Sequence, residues 1–300
     1  MKKTILIIAL AIIAMNKVNA TTISNTIEEK GKYINFYGTT IEKATYDKIK
    51  SIVSDEDIEY MIQEEYYDIK HNDKLIGFTS FVNEKKYVIT SGQKLLIEEN
   101  NISVQEYVEK SESNKYNSNV RSTNSDLGNI TYSTEYKRIN MHVSEHDGVK
   151  TFYMYNRWLN LPVNRSFDVF AMRWTNQNNI SIIAYNGTQE YKTSASNTIQ
   201  TINYAQTSNN FQTFRNGISL SQNLVDNATY YMQTINVQVN CTGETTLYGT
   251  YQHAQGDVTL AQSKLFTIGS GGMGNVIYWG TNELNSIYDN TAGVELTFTC

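Results

Sequence analysis

The sequence predicts a mainly β protein, an antiparallel β-sandwich or jelly roll preceded by a small helical (α+β) N-terminal region. Three observations carry that expectation. Between residues 130 and 300 apolar and polar residues alternate, the period of a half-buried strand. The strand-like runs there are short, bounded by Asn, Asp and Gly, and no helix-length pattern lies between them. Ahead of them, over residues 21–110, the apolar period is mostly that of a helix. Residues 111–129, rich in Ser and Asn and nearly free of large apolar side chains, divide the two regions as a linker.

The chain opens with MKKTILIIALAIIAMNKVNA. Lys2 and Lys3 precede an apolar run, and Val18-Asn19-Ala20 offers small residues for cleavage, so residues 1–20 read as a secretory signal cut after Ala20. The run is shorter than the ~20 apolar residues of a spanning helix, so no stable membrane span is expected in the mature chain. The acidic region 21–110 then shows two helical stripes. Ile41, Ala44, Ile49, Ile52 and Val53 form the first. Ser54, with Asp57 in capping-box position, starts the second, which aligns Ile58, Met61, Ile62, Tyr66 and Ile69. KLIGFTSFV and KKYVIT flank Asn83-Glu84 like two short strands, and ISVQEYVEK reads as a further turn or two of helix.

In KRINMHVS, Ile139, Met141 and Val143 share one face and Arg138, Asn140, His142 and Ser144 the other. Asp147-Gly148 makes the turn, and TFYMYNRW is the return strand of a hairpin. NISIIAY and TQEYKT flank Asn186-Gly187 in the same way. In YMQTINVQVNC, Tyr231, Ile235, Val237, Val239 and Cys241 are in phase, as are Val294, Leu296, Phe298 and Cys300 at the end. Each cysteine thus shares the apolar row of its own strand. In an exported chain the two are expected to pair as Cys241–Cys300, the other reading being two buried thiols.

The stretch NRWLNLPVNRSFDVFAMRW holds the single proline and two of the three tryptophans. Pro162 marks a corner between two strands, where a missing amide hydrogen breaks no ladder bond. In the second strand Phe167, Val169 and Ala171 oppose Phe170, Met172 and Trp174, so both faces are apolar. Such a strand is central and covered on both sides, with the helical region one candidate cover. Asp168 falls in phase with Phe170 and Trp174, and a buried carboxylate needs a partner. Arg157, Arg165 or Arg173 is expected to supply a structural ion pair.

Together with TYDKIKSIVSDEDIEYMIQEEY, this stretch resembles a layout of uncharacterised secreted proteins from Gram-positive Firmicutes. That layout is a short acidic helical segment followed by a β-rich domain with a W-x-x-x-P-x-x-R-x-x-D pattern, carried here by Trp158, Pro162, Arg165 and Asp168. The resemblance implies export and a two-part chain. It implies no activity.

The formal charge is −5, and removing Lys2, Lys3 and Lys17 with the leader makes it more negative. With no basic patch, counterion release has nothing to act on, and nucleic-acid partners are set aside. No G-x-S-x-G elbow appears, and the glycine-rich GSGGMGN lacks a P-loop lysine. His142 and His146 lie on a strand and in a turn, not on the helix that a metal-binding H-x-x-x-H needs, and read as surface histidines. No metal, cofactor or catalytic set is therefore expected. The 22 tyrosines are more informative. Tyr153 and Tyr155, opposite Phe152 and Met154, and Tyr248, opposite Leu247, are candidate binding residues for an extracellular glycan or protein partner. The leading expectation is a secreted non-catalytic β-sandwich that binds such a partner. Two other classes stay open. One is a pore-forming or membrane-active secreted protein, in which the Ser/Thr/Asn/Gln-rich run 194–214 forms an inserting hairpin, although it lacks the regular alternation of a membrane strand. The other is a secreted hydrolase with a site assembled from distant loops.

Overall fold

In the computed structural model the described residues are 27–30, 33–36, 39–43, 47, 74–90, 93–103, 106–107, 109–111, 130–269, 276–289 and 293–300. Five strands come first: β1 (Ile27–Lys30), β2 (Tyr33–Phe36), β3 (Thr39–Glu42), β4 (Lys74–Thr90) and β5 (Gln93–Ile102). Then follow β6 (Ile130–His146), β7 (Val149–Trp158), β8 (Phe167–Trp174), β9 (Ile180–Thr193), β10 (Ser196–Tyr204), β11 (Phe211–Phe214) and β12 (Gly217–Asn223). The rest are β13 (Ala228–Cys241), β14 (Glu244–Gln252), β15 (Phe266–Ile268), β16 (Ile277–Trp279) and β17 (Val294–Thr299), with a short helix at Asn282–Ile287. The protein is mainly β and antiparallel, β3 and β4 being a parallel pair.

The large sheet runs β1-β2-β3-β4-β6-β7-β13-β9-β10, with β5 paired to β4, and a five-stranded sheet runs β11-β12-β8-β14-β17. The period-two pattern decides how they meet. Ile139, Met141, Phe152, Met154, Ile235 and Val237 of the large sheet share one core with Phe170, Met172, Trp174, Leu220, Leu247 and Phe298 of the small one. Each such side chain contributes about 1.5–3 kcal/mol of transfer free energy, which is why alternation fixes the register. The β6–β7 turn falls at Asp147 and Gly148, both at positive φ (49° and 80°), as a tight hairpin requires. Cys241 and Cys300 are bonded with Cα atoms 5.5 Å apart, joining the end of β13 to the end of β17 and so one sheet to the other.

Several expectations change. The described residues of 21–110 are almost all strand, and β4 pairs with β6 along its whole length, from Lys74↔Glu145 to Thr90↔Ile130. KLIGFTSFV and KKYVIT are therefore one strand: Asn83 and Glu84 pair within it instead of turning. The turn or two of helix expected in ISVQEYVEK appears around residues 106–111. The two helical stripes, the leader and residues 112–129 of the linker lie outside the described residues, apart from strand residues 41–42 and single helical positions at 43 and 47. Asn186-Gly187 is likewise no turn but the middle of β9. A Cβ on Gly187 would strike the Leu220 side chain and lie 2.8 Å from the Thr234 carbonyl oxygen, so this glycine allows close packing. The run 194–214 forms β10 and β11, which belong to different sheets and make no hairpin. β8 is central and covered on both faces as expected. Its second cover, over Val169 and Ala171, is the C-terminal segment through Ala254, Phe266, Leu284 and Tyr288.

Candidate functional site

Past the end of β7 the large sheet narrows to a tongue. Trp158 pairs with Lys137, and the amides of Leu159 and Asn160 bond to the Tyr136 carbonyl at 3.0 and 3.3 Å. Beyond that point residues 130–135 of β6 run beside β4, which carries β5 on its other edge from Val82↔Ile102 to Thr90↔Gln93. At a strand rise of about 3.3 Å per residue, the tongue projects on the order of 20 Å.

β5 carries three consecutive aliphatics, Leu95, Leu96 and Ile97, with 64, 43 and 52% of their surfaces exposed. Successive strand residues point to opposite faces, so such a run places apolar surface on both sides of the strand. The register shift between Lys86 and Tyr87, where Lys86 faces Glu98 but Tyr87 faces Leu96, leaves Ile97 as the extra residue. An edge strand that is apolar and open on both faces is what soluble proteins normally avoid.

The root of the tongue is tied to the body by buried charge. Lys137 Nζ donates to Asp289 Oδ2 at 2.9 Å, and Lys85 Nζ lies 3.3 Å from the same oxygen and 3.7 Å from Glu99. Burial acts to raise the Asp289 carboxyl, but Lys137 and Lys85 outweigh it and hold it well below the usual carboxylate range. Burial also pulls Lys85 down, partly offset by Asp289. Asp289 Oδ1 accepts from the His253 amide at 2.7 Å, and His253 Nδ1 lies 2.9 and 3.0 Å from the two oxygens of Asp168. His253 Nδ1 is placed to donate to these oxygens in the tautomer that carries its hydrogen on that nitrogen. Tyr251 donates its hydroxyl hydrogen to Asp168, the Ala254 amide donates at 3.0 Å, and Trp158 Nε1 donates to Tyr251 at 3.0 Å. Asp, His and Tyr together could suggest acid–base chemistry, but the His253 and Asp168 side chains are only 1 and 0% exposed. The network ties β8 to the end of β14 within the small sheet, and reaches the large sheet through Trp158 and through Asp289.

The partner expected for Asp168 is therefore corrected: it is His253 and Tyr251, with no arginine. Strand phase explains why. Arg173 lies an odd number of residues from Asp168, on the opposite face of β8, where its guanidinium stacks 3.9 Å from the Tyr248 ring centre. Arg157 faces away from the core beside Tyr230, at 5.3 Å. Arg165 bonds to the carbonyls of Pro162, Val225 and Ala228 and to the Tyr231 hydroxyl. It locks the corner, but not through Asp168.

The candidate binding tyrosines are not brought together. Tyr153 is half-buried and Tyr155 buried on the outer face of the large sheet, stacking on His142 at 4.4 and 5.6 Å. Tyr248 lies on the outer face of the small sheet. His142, expected at the surface, is fully buried, and burial drives its pKa down to about 3. His146 is exposed as expected. Among the described residues no group of His, Cys, Asp and Glu is arranged to hold a metal ion.

No family model matches the chain, and no curated protein does. Among solved structures it is similar to one described as a pore forming protein, at 10% identity and a TM-score of 0.25 over 54% of this chain and 85% of that one. It is also similar to Clostridium perfringens delta-toxin, at 5% identity and a TM-score of 0.25 over 54% of this chain and 83% of that one. The Clostridium perfringens NetB toxin in its membrane-inserted form shares 8% identity at a TM-score of 0.20, over 74% of this chain and 97% of that one. At these values the likeness decides no function, which has to be argued from the residues themselves.

Proposed function

We propose that this is a secreted, non-enzymatic, membrane-active protein whose first contact with lipid is the tongue of β4, β5 and β6. One observation carries the reading: the exposed Leu95, Leu96 and Ile97 on an edge strand at the projecting end of the sheet. Burying three such side chains in a bilayer is favourable by several kcal/mol at about 25 cal/mol per Å². The same surface left in water promotes aggregation. Among the described residues no helix is long and apolar enough to cross a membrane. A pore-forming mode of action is one form of this reading, and release of an encapsulated dye reads it directly. The leading expectation from the sequence, a β-sandwich that binds an extracellular glycan or protein, has less support, because Tyr153 and Tyr155 face the opposite side from Tyr248. Dye release from phosphatidylcholine vesicles tests the proposal. The wild-type protein should release dye, and Leu96→Asp with Ile97→Asp should abolish release while leaving the unfolding midpoint unchanged. No vesicle binding and no release by the wild type would overturn it.

A further inference from the structure

The corner between β7 and β8 is held more firmly than a surface turn needs. Arg165 Nε donates to the Pro162 carbonyl at 3.1 Å, and Nη1 donates to the Val225 carbonyl at 2.9 Å and the Tyr231 hydroxyl at 3.3 Å. Nη2 donates to the Ala228 carbonyl at 3.3 Å. The corner is thereby fastened to the loop before β13. Its tip, Val163, is nonetheless 90% exposed, the most open of the large hydrophobics among the described residues. Leu161 and Val225 beside it are only partly buried. Firm backbone anchoring around an apolar side chain in water presents that side chain to something outside the molecule.

Two more observations identify the partner. The corner lies at the tongue end of the sheet, since Asn160 Nδ2 donates to the Thr134 carbonyl at 3.2 Å, at the base of the tongue. At the same end, where β7 and β9 finish and β13 begins, the Tyr230 ring has Arg157 at 5.3 Å and Lys192 at 5.6 Å. An exposed aliphatic tip, with a tyrosine and two cations at the same end of the sheet in a chain of net charge −5, suits a phospholipid surface. Aliphatic groups reach the acyl boundary, tyrosine sits at the headgroup level, and cations lie near the phosphates.

We propose that this corner is a second lipid contact, with Val163 entering the acyl boundary and Tyr230, Arg157 and Lys192 placed at the phosphate level of a phospholipid bilayer. The inference rests on the membrane-active reading of the tongue. It adds that the body of the protein docks through a rigid loop of its own. The test places an environment-sensitive NBD label on single engineered cysteines, Val163→Cys, Leu96→Cys and Gln177→Cys, the last in the turn between β8 and β9 at the other end of the sheet. Each protein is mixed with phosphatidylcholine vesicles containing a brominated-chain phosphatidylcholine, and the bound fraction is measured by flotation. Labels at 163 and 96 should brighten several-fold on binding and be quenched by the brominated lipid, while the label at 177 does neither. If 96 responds and 163 behaves like 177, the corner contact is wrong and the tongue reading stands. If 163 responds and 96 does not, the corner contact stands and the tongue reading falls. If the protein does not float with vesicles, both fall.

Discussion

Replacing Asp168 by Ala tests the buried network that ties β8 to the end of β14. Three donors converge on this carboxylate: the Tyr251 hydroxyl, His253 Nδ1 and the Ala254 amide, all within a site closed to water. Each buried donor left without an acceptor costs about 1–3 kcal/mol, so Asp168→Ala should lower stability by roughly 3–6 kcal/mol, the terms being non-additive. Asp168→Asn keeps one acceptor oxygen and the shape, and the Tyr251 hydroxyl can rotate to accept from the new amide, so a loss of about 1–2 kcal/mol is expected. Urea unfolding followed by tryptophan fluorescence reads both. Double-mutant cycles add the sharper result: Asp168 and His253→Ala should couple by at least ~1 kcal/mol, while Asp168 and Arg165→Lys should add to within about 0.5 kcal/mol. An Asp168→Ala protein as stable as wild type, or a larger coupling to Arg165 than to His253, would refute the assignment.

Cys241→Ser with Cys300→Ser opens a loop spanning 59 residues, for which the chain-entropy relation gives a loss of about 4 kcal/mol. An unchanged urea midpoint would show that the two sheets hold together without the bond. For His142, folding depresses the pKa from 6.5 to about 3, so between those values the unfolded chain takes up a proton that the native protein refuses. Its contribution is therefore complete above about pH 6.5 and falls by about 1.4 kcal/mol per pH unit below that, and Asp289, also depressed, adds to the loss further into acid. His142→Gln should flatten the slope between pH 6.5 and 4.5, and parallel profiles for the two proteins would contradict it. Gly187→Ala forces a Cβ against Leu220 and the Thr234 carbonyl and should cost about 1–3 kcal/mol by overpacking. A neutral result in calorimetry would restore the reading of Asn186-Gly187 as a turn.

Period two was enough to identify the strands around Met141, Met154, Val237 and Phe298, because one row of each faces a single core and a one-residue slip would expose it. The same phase argument, applied to the cysteines, gave the Cys241–Cys300 bond, since both thiols had to point inward. Phase also separates Asp168 from Arg173, which lie on opposite faces of β8. What phase cannot supply is which strand lies beside which. Tyr251 and His253 reach Asp168 only because β14 pairs with β8, with Tyr251 opposite Phe170, and Asp289 reaches Lys85 and Lys137 only because the C-terminal segment folds back over that junction. Gly187 misleads for a related reason: Asn-Gly signals a turn in isolation, whereas here the close approach of Leu220 from the other sheet requires a residue without a side chain. Leu95, Leu96 and Ile97 are three aliphatics in a row, and a run without a period does not tell a covered strand from an open one. Only the tertiary structure, which makes β5 the edge strand of the part of the sheet that runs on past Trp158, leaves that run uncovered as an apolar end.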